Sequence, residues 1–399
     1  MEKILGLIDE TRCKEILLDL LKIEGPSGRE RAVAMRVREI LIEAGADESD
    51  IAFDDANERI PDPTETGNLF VHLPGEGRSR MLAAHMDTVA LAVGARPRVQ
   101  GTWITSNGAT ALGADDRSGV AVLVATAEAL LESGTDHPPL TFLFTVREEG
   151  GTWGARCVDQ MRLRNVEMGF SFDSHEPEKL VIAAPSSDKF TITIHGREAH
   201  AGTAPEKGVS AIEIAAVAVS ALRKKGWIGK IKHGDYEGTA NIGTVEGGVG
   251  SNIVMGSLRM DAETRSHNPK FLNKITHAYK VAFRTAAKAV KNIDGETGTA
   301  RFDVHRAYNA FHLPPTSPAV AAAAQAVRAA GLKPGPKVQN GGLDACWLNE
   351  YGIPTVTLGT GTCNPHTKHE RLNLPDYLNA CRIALLLATL PFDKISKTK

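Results

Sequence analysis

The feature that most constrains this chain is a set of acidic and histidine residues that directly follow hydrophobic, strand-like runs. Four segments have this form, AAHMDTVA, LTFLFTVREEGG, MGFSFDSHEP and IPTVTLGTGTCNPHTKHE, and a fifth acidic segment is ALGADDRSGVA. In an open α/β sheet, ligands bind outside the carboxyl ends of the strands, so segments scattered in sequence meet at one edge. Two imidazoles with three or four carboxylates form a ligand set for two divalent metal ions. The pattern therefore predicts a two-metal hydrolase.

Length and composition favour a soluble globular protein of two domains. The chain has 399 residues, 42% of them hydrophobic and 24% charged, which is long for a single core of usual size. Its net charge is −2, and it has no basic run interleaved with aromatic residues. We therefore expect no nucleic-acid partner.

Targeting and redox signals predict a cytoplasmic protein. The stretch 1–23 is amphipathic and carries both acidic and basic residues, unlike a secretory signal peptide. The longest apolar stretch, 211–222, is too short and too interrupted to span a bilayer, so we expect no membrane attachment. The five cysteines are odd in number and lack CxxC spacing, which predicts neither a disulfide framework nor a zinc ribbon.

Hydrophobic periodicity predicts a doubly wound α/β first domain. The predicted elements are helices within 14–45, interrupted at Pro26 and Gly28, and over 118–133, and strands over 68–74, 80–87 and 140–146. The two strands at 68–74 and 80–87 are predicted to be neighbours around a glycine-rich turn, and Ser118 is a candidate N-cap. The continuous apolar run at 140–146 is typical of a strand buried on both faces. Strand, helix and strand with both faces covered indicate a doubly wound layer architecture.

The pattern changes near residue 187 and predicts a second, inserted domain. The elements from there are a strand at 189–196, a helix at 209–225, strands at 239–247 and 252–265, a helix at 269–290 and a strand at 300–308. This β-α-β-β-α-β order is the ferredoxin-like α+β unit. The remaining helix, strand and helix are too few to stand alone, so they should complete the mixed sheet of the first domain. The predicted domains are 1–186 with 312–399, and 187–311 between them.

His85 and Asp87 stand at the end of a predicted strand, one residue apart. Both side chains therefore point to the same side of the sheet. A histidine that ligates a metal normally donates its other ring N–H to a carboxylate, and Asp87 is placed for that duty. The alternative is a surface pair without function.

Two acidic pairs are candidates for the metal chemistry. Asp115–Asp116 lies between glycines at a loop-to-helix junction, where unusual backbone geometry could let one carboxylate bridge two cations; the alternative is an acidic helix start. In Glu148–Glu149, one glutamate can ligate a metal while its neighbour acts as a general base. The alternative there is an ion pair with Arg147.

Several positions stay open from residue types alone. Asp173 competes with His175 as a ligand, and spacing does not choose between His366 and His369. His200 could pack locally. The glycine-rich stretch 246–252 lacks the lysine of a phosphate-binding P-loop. No GxSxG motif is present, so covalent hydrolase chemistry is unsupported.

The chain resembles the co-catalytic metallopeptidase superfamily of peptidase T, carboxypeptidase G and aminoacylase, and looks closest to its peptidase T-like branch. The resemblance is carried, in order, by EGPSGRE, AAHMDTV, LGADDRSG, REEGG, EAHAGTAPEKGVSAI, GGVGSNIV and PHTKHE. It implies a site for two divalent metal ions, most often zinc, with cobalt or manganese as alternatives. It also implies that the inserted domain is a lid that forms a homodimer.

The resemblance assigns roles to individual positions. The implied metal ligands are His85 and Asp173 for one ion, Glu149 and His366 for the other, and Asp115 as the bridge. Glu148 is implied to be the general base, with Asp87 behind His85, and the Asp115–Asp116 peptide is implied to be cis. The implied contacts to substrate are His200, which the partner subunit could supply, Asn252 and Arg265.

Three functions follow as hypotheses. The first is an aminopeptidase- or tripeptidase-like exopeptidase, in which a metal-bound water and the base Glu148 cleave an amide bond of a short peptide. The second keeps this site but acts on an N-acyl or N-carbamoyl amino acid. The third is a non-catalytic scaffold, which predicts that a ligand or the base is lost, and the sequence retains all of them.

Overall fold

The computed structural model describes residues 2–391, which form two compact units. The first unit runs from the N-terminus to Ala183 and resumes at His312–Gln339 and again from Leu343. The second comprises Ala184–Phe311 and the short segment Asn340–Gly342, for which the sequence pattern carries no sign. Within the described residues, no helix combines the length and apolarity needed to cross a membrane.

Helices and strands follow one another along the whole described chain. The helices up to residue 184 are α1 (Glu2–Leu5), α2 (Glu10–Leu20), α3 (Arg31–Glu43), α4 (Ala56–Arg59), α5 (Ala114–Ser133), α6 (Trp153–Arg156) and α7 (Gln160–Leu163). The strands there are β1 (Ile51–Phe53), β2 (Leu69–Leu73), β3 (Arg80–His85), β4 (Arg98–Gln100), β5 (Trp103–Thr105), β6 (Leu140–Thr145), β7 (Met168–Phe172) and β8 (Lys179–Ala184).

The second half of the chain continues in the same way. The next elements are β9 (Ser186–His195), α8 (Ala211–Lys224), β10 (Gly229–His233), β11 (Tyr236–Gly247), β12 (Ser257–Ser266), α9 (Pro269–Ala289) and β13 (Thr299–Tyr308). The last are β14 (Phe311–His312), α10 (Pro318–Ala329), β15 (Gly335–Val338), α11 (Asp344–Glu350), β16 (Thr355–Leu358), β17 (Thr362–Cys363), β18 (Arg371–Asn373) and α12 (Leu374–Thr389).

A nine-stranded mixed sheet forms the centre of the first unit. Its order is β1-β2-β6-β3-β7-β16-β8-β14, with β15 beside β8. The strands β6, β3, β7 and β16 are mutually parallel, whereas β1 and β2 run antiparallel to their neighbours. Helices α5 and α10 pack against these central strands, as does α11. The predicted doubly wound domain with a mixed sheet is thus confirmed, and β16 from the last part of the chain completes it.

The predicted pairing of β2 with β3 is wrong. Strand β6 lies between them: β2 pairs with it antiparallel, with Leu69 opposite Phe144, and β3 pairs with it parallel, with Arg80 opposite Leu140. The apolar run of β6 is buried on both faces, so an interior position removes the most apolar surface from water. The crossover through α5 brings β6 to that position beside β3.

Helix α5 begins earlier than predicted, and Ser118 does not cap it. Its hydroxyl donates to the carbonyl oxygen of Ala114 at 2.7 Å. The capping acceptor is Asp116, whose Oδ1 accepts the backbone N–H of Gly119 at 3.1 Å. Asp115 and Asp116 both have non-helical backbone angles, so the first turn of α5 is irregular where the site begins.

A small four-stranded sheet, absent from the sequence prediction, supports one loop of the site. Its order is β17-β18-β5-β4, and all of its pairs are antiparallel. Each strand has two or three residues, too few to produce a recognisable alternation of apolar and polar residues. The pairing of β17 with β18 closes the loop 364–370, which carries His366.

The second unit is an antiparallel sheet, β10-β11-β12-β9-β13, with α8 and α9 packed on it. Its core includes Ile192, Ile194, Tyr279 and Phe283. Apart from the edge strand β10, which the sequence analysis missed, the order of the remaining strands is that of the ferredoxin-like unit. Strand β12 begins at Ser257, later than the predicted 252, because Asn252 and Val254 form backbone hydrogen bonds with the segment 199–201 instead.

Candidate metal centre

His85, the last residue of β3, is the innermost side chain of the site. The strand is buried along its length, and this side chain is 2% exposed. Its Nδ1 lies 3.1 Å from the carbonyl oxygen of Asp87 and 3.3 Å from Asp87 Oδ1. Its Nε2 faces Asp115 Oδ1 at 3.3 Å and Asp173 Oδ1 at 3.9 Å. An imidazole held at one nitrogen presents the other to a metal.

Asp87 is fully buried and organises the turn that carries the two glutamates. Its Oδ1 accepts the backbone N–H of Glu148 at 2.9 Å, and its Oδ2 accepts that of Glu149 at 3.1 Å. The hydroxyl of Ser27 also donates to Oδ2. Although burial acts to raise it, the pKa of Asp87 is lowered overall, chiefly by the hydrogen bond and charge interaction with His85. Asp87 therefore links His85 to the turn that carries Glu148 and Glu149.

Asp115 faces both histidines from the start of α5. Its Oδ1 lies 3.3 Å from His85 Nε2, and its Oδ2 lies 3.3 Å from His366 Nε2. Burial acts to raise the pKa of Asp115, but the hydrogen bonds with the two histidines lower it well below its usual range. The Asp115–Asp116 peptide bond is cis, as the family resemblance implied. One oxygen toward each histidine is the arrangement that a bridging carboxylate requires.

Glu149 and His366 meet on the other side of Asp115. Glu149 Oε1 lies 2.7 Å from His366 Nε2. The backbone of His366 has φ +62°, an uncommon conformation for a residue other than glycine, and its side chain is half exposed. Hydrogen bonds with Asp115 and Glu149 raise the pKa of His366 to about 10.

Two competing candidates lie outside these contacts. The exposed His369 donates its backbone N–H to the hydroxyl of Thr367. The Nδ1 of His175 lies 2.9 Å from the carbonyl oxygen of Thr362. The structure thus brings His366 rather than His369 to the site, and Asp173 rather than His175.

The described residues contain two groups of three side chains whose ligand atoms lie within 4.8 Å of one another. One group is His85, Asp115 and Asp173, and the other is Asp115, Glu149 and His366. Asp115 belongs to both. Among the residues described, Glu148 belongs to neither group, although it is adjacent to Glu149 in sequence.

The donor set fits a pair of divalent cations. Burial raises the pKa of Glu148 and of Asp173 well above the usual range, and neighbouring carboxylates add to both shifts. Burial also raises the pKa of Glu149, against the hydrogen bond with His366. Five carboxyl groups thus surround the two imidazoles, namely those of Asp87, Asp115, Glu148, Glu149 and Asp173. Buried negative charge of this kind is costly unless a cation compensates it. Oxygen and imidazole nitrogen ligands suit zinc, cobalt and manganese.

Two further buried carboxylates hold the loops of the site, and the sequence analysis assigned neither of them a role. Glu30 accepts the backbone N–H groups of Gly28 at 2.7 Å and of Arg147 at 3.1 Å. Glu370 accepts those of Gly113 at 2.8 Å and of Asp115 at 2.9 Å. Burial raises the pKa of each carboxyl to about 7. Both residues stand within quoted motifs, EGPSGRE and PHTKHE, which is the only signal that the sequence offers.

Arg117 and Asp344 are also buried near the site. The guanidinium of Arg117 donates to carbonyl oxygens of Met86 and of residues 20–25, which fixes the chain beyond β3. Burial lowers its pKa to about 10. Asp344 accepts the hydroxyl of Thr145, and burial raises its pKa to about 6. Nothing in the spacing of the sequence indicates that these groups are buried.

The second unit contains the three candidate substrate contacts. His200 is exposed, and its Nδ1 accepts the backbone N–H groups of Gly202 and Thr203 at 3.1 Å. A neutral imidazole that accepts at Nδ1 carries its proton on Nε2, so His200 presents a donor. Asn252 lies beside it, because its carbonyl oxygen accepts the N–H of Ala201 at 2.9 Å.

Arg265, the third of these candidates, lies on β12. Its Nη2 is 3.1 Å from Glu263 Oε2, and its Nη1 donates to the carbonyl oxygen of Asn340 at 3.1 Å. The Arg265 side chain is 29% exposed. A guanidinium fixed by two such contacts keeps a defined orientation on the strand.

Comparison with known proteins places this arrangement among peptidases. Residues 81–389 match the peptidase family M20/M25/M40. The protein YqjE of Bacillus subtilis is 30% identical over 384 residues, which cover 96% of this chain and 98% of YqjE. The crystal structure of aminopeptidase PepT from Bacillus cereus is similar with a TM-score of 0.82 and 31% identity, over 96% of this chain and 99% of that one. A tripeptidase from Staphylococcus aureus gives a TM-score of 0.85 and 31% identity, over 96% and 98%.

Proposed function

Because the chain belongs to peptidase family M20/M25/M40, and so is a metal-dependent exopeptidase, we propose that it hydrolyses an amide bond of short peptides at a site for two metal ions. The observation that carries the proposal is Asp115, whose two oxygens each face a different histidine at 3.3 Å. The names of the similar structures, an aminopeptidase and a tripeptidase, support a peptide with a free amino terminus as the substrate.

The proposed ligands follow from the two groups of side chains. His85 and Asp173 would hold one ion, Glu149 and His366 would hold the other, and Asp115, which belongs to both groups, would contribute to both. Zinc is the proposed metal, with cobalt or manganese as alternatives. When bound, such a pair lowers the pKa of a water molecule and polarises the carbonyl group to be cleaved.

Glu148 is the proposed general base. It is buried beside the ligands but belongs to neither ligand group, and the bond from its backbone N–H to Asp87 fixes its position. In this role it removes a proton from the attacking water and returns it to the leaving amine. Asp87 holds the ring of His85 and, through the same carboxylate, the turn of the base.

The second unit is proposed to bind the substrate and to form the homodimer. The Nε2–H of His200 would donate to the oxyanion that develops on the carbonyl oxygen, in its own or the partner's site. Asn252 would bind the peptide backbone, and Arg265 would bind the terminal carboxylate. The proposed domains keep the limits 1–186, 187–311 and 312–399. We also propose a cytoplasmic location, which the free cysteines support.

A substrate panel tests the proposal. Purified protein, supplied with zinc, cobalt or manganese, should release free amino acids from di- and tripeptides faster than from the matched N-acetyl and N-carbamoyl amino acids. Glu148→Gln is the matched inactive control. Cleavage of the N-acyl or N-carbamoyl substrates alone would replace the peptidase by the alternative amidohydrolase. A protein that binds less than half an equivalent of metal and cleaves nothing would be a scaffold.

A further inference from the structure

Glu370 is a buried carboxylate that none of the proposed catalytic steps uses. It is 3% exposed and ends the loop that carries His366. Its Oε1 accepts the backbone N–H of Asp115 at 2.9 Å, and its Oε2 accepts that of Gly113 at 2.8 Å. These partners are 255 and 257 positions away in sequence. The side chain therefore joins two distant segments, each of which carries a ligand of the second metal.

The receiving segment is suited to a carboxylate. Gly113 has φ +75° and immediately precedes α5, and as a glycine it has no side chain with which to cap the helix. Backbone N–H groups around a left-handed residue at a helix start point in one direction and attract an anion. Glu370 supplies that anion from outside the helix. Its carboxylate accepts the backbone N–H of Asp115, the residue whose side chain faces the two histidines.

The loop of Glu370 is itself closed by short-range bonds. The backbone N–H of Glu370 donates to the carbonyl oxygen of Thr367 at 3.1 Å, and the Thr367 hydroxyl donates to that of Asn364 at 2.9 Å. Asn364 and His366 both have positive φ values, of +55° and +62°. Residues other than glycine keep this conformation only when the surroundings enforce it. The loop therefore needs an anchor, and Glu370 is its buried end.

We propose that Glu370 is a positioning residue that holds the His366 loop against the Asp115 turn and so sets the affinity of the second metal site. The inference rests on the proposed dinuclear function. The second site combines Asp115, Glu149 and His366, and the Asp115–His366 distance of 3.3 Å spans the two segments that Glu370 joins. The first site shares Asp115 but also has His85 and Asp173, whereas the backbone N–H groups that Glu370 accepts belong to Gly113 and Asp115.

The test is a calorimetric titration of metal-free protein with zinc. The wild-type chain should bind two equivalents. Glu370→Gln keeps the shape of the side chain but places an N–H₂ group against one of the two N–H donors. It should bind the first equivalent within about threefold of wild type and the second about 10- to 100-fold more weakly, the usual cost of losing a group that orients a ligand. Glu370→Asp keeps the charge but is too short for both bonds, and should give an intermediate loss.

The matched control is Glu128→Gln, which alters a buried glutamate of α5 that pairs with Arg12 outside the site. It should bind both equivalents as the wild type does. Unchanged binding of both equivalents by Glu370→Gln, or an equal loss of both, overturns the role of Glu370 while the dinuclear proposal stands. If Glu370→Gln does not fold, the same two outcomes in Glu370→Asp decide. A single equivalent in the wild type would overturn the dinuclear function and this inference together.

Discussion

At the scale of single residues, the neighbouring glutamates 148 and 149 are held in the same turn but meet different partners. Glu149 lies against His366, whereas Glu148 contributes to neither ligand group. We expect Glu148→Gln to lower kcat at least about 100-fold, the lower range for loss of a general base. Its metal content, measured by atomic emission, should equal that of the wild type.

His366→Ala is the matched comparison for that prediction. It removes a proposed ligand of the second ion and should lower metal content as well as activity. Retention of more than a tenth of wild-type activity by Glu148→Gln would mean that another group is the base.

Glu30 gives the metal-free protein a pH-dependent loss of stability. Burial, with the charge of Asp87, raises its pKa from 4.5 to about 7, so the folded state binds the proton more tightly than the unfolded state. The contribution of Glu30 to the free energy of unfolding is therefore complete below pH 4.5. As the pH rises to 7, this contribution falls by up to about 3 kcal/mol. Urea unfolding of metal-free protein should show a shallower fall of the free energy of unfolding between pH 5 and 7 in Glu30→Gln. Equal slopes for the variant and the wild type would refute this assignment.

The side chains that meet in the two candidate ligand groups could be predicted from the sequence because polar residues after buried strands have few structural reasons to be there. The distinction between His366 and His369 came from the family resemblance, since both lie in one loop. Glu370 could not be assigned in this way. Its role depends on accepting backbone N–H groups from a segment more than 250 positions away, and no local pattern records such a contact.

At the scale of elements, the first turn of α5 depends on a glycine. Gly113 has φ +75°, and an added Cβ would lie 3.2 Å from both the Ala92 Cβ and the Thr88 Cγ2. Gly134, which ends the same helix, has φ +59° with open space around it. We expect Gly113→Ala to lower the free energy of unfolding by about 2–3 kcal/mol and Gly134→Ala by about 1 kcal/mol. Urea denaturation of the two variants measures the difference, and equal losses would show that the contacts of Gly113 carry no cost.

Long elements were predictable and short ones were not. The apolar run of β6 and the periodic helices α8 and α9 repeat a pattern often enough to be recognised. The strands β4, β5, β17 and β18 have two or three residues each and exist only because they pair with one another. Strand adjacency is likewise a tertiary property, which is why β6 was not expected between β2 and β3.

At the scale of the whole molecule, the second unit has an apolar surface suited to the proposed dimer. Val217 on α8 and Val281 on α9 are 43% and 46% exposed, and both line a groove of about 720 Å³ between these helices. We expect Val217→Glu to convert the dimer to a monomer in light scattering after gel filtration. Met161→Glu, at an exposed position of the first unit, is the control and should remain dimeric. A dimer that survives Val217→Glu would place the interface elsewhere.

Subunit exchange tests whether His200 serves the partner's site. Glu148→Gln and His200→Ala subunits are each expected to be inactive, but a mixed dimer would contain one site with both wild-type residues. Random exchange of equal amounts should therefore restore about a quarter of wild-type activity, as two-fold symmetry requires. Labelled subunits confirm the exchange, and no recovery in exchanged dimers would assign His200 to its own chain.

The position of β16 between β7 and β8 has a consequence for the order in which this protein is made. The ribosome completes His85, Asp115, Glu149 and Asp173 first, then the whole second unit, and only then β16 and His366. At the usual speed of synthesis, roughly 10–40 s separate Asp173 from His366. Throughout that interval β7 lacks a neighbour on one side, and the proposed second metal site lacks His366. Under the proposed function, complete metal loading is thus a property that only a chain synthesised past His366 can acquire.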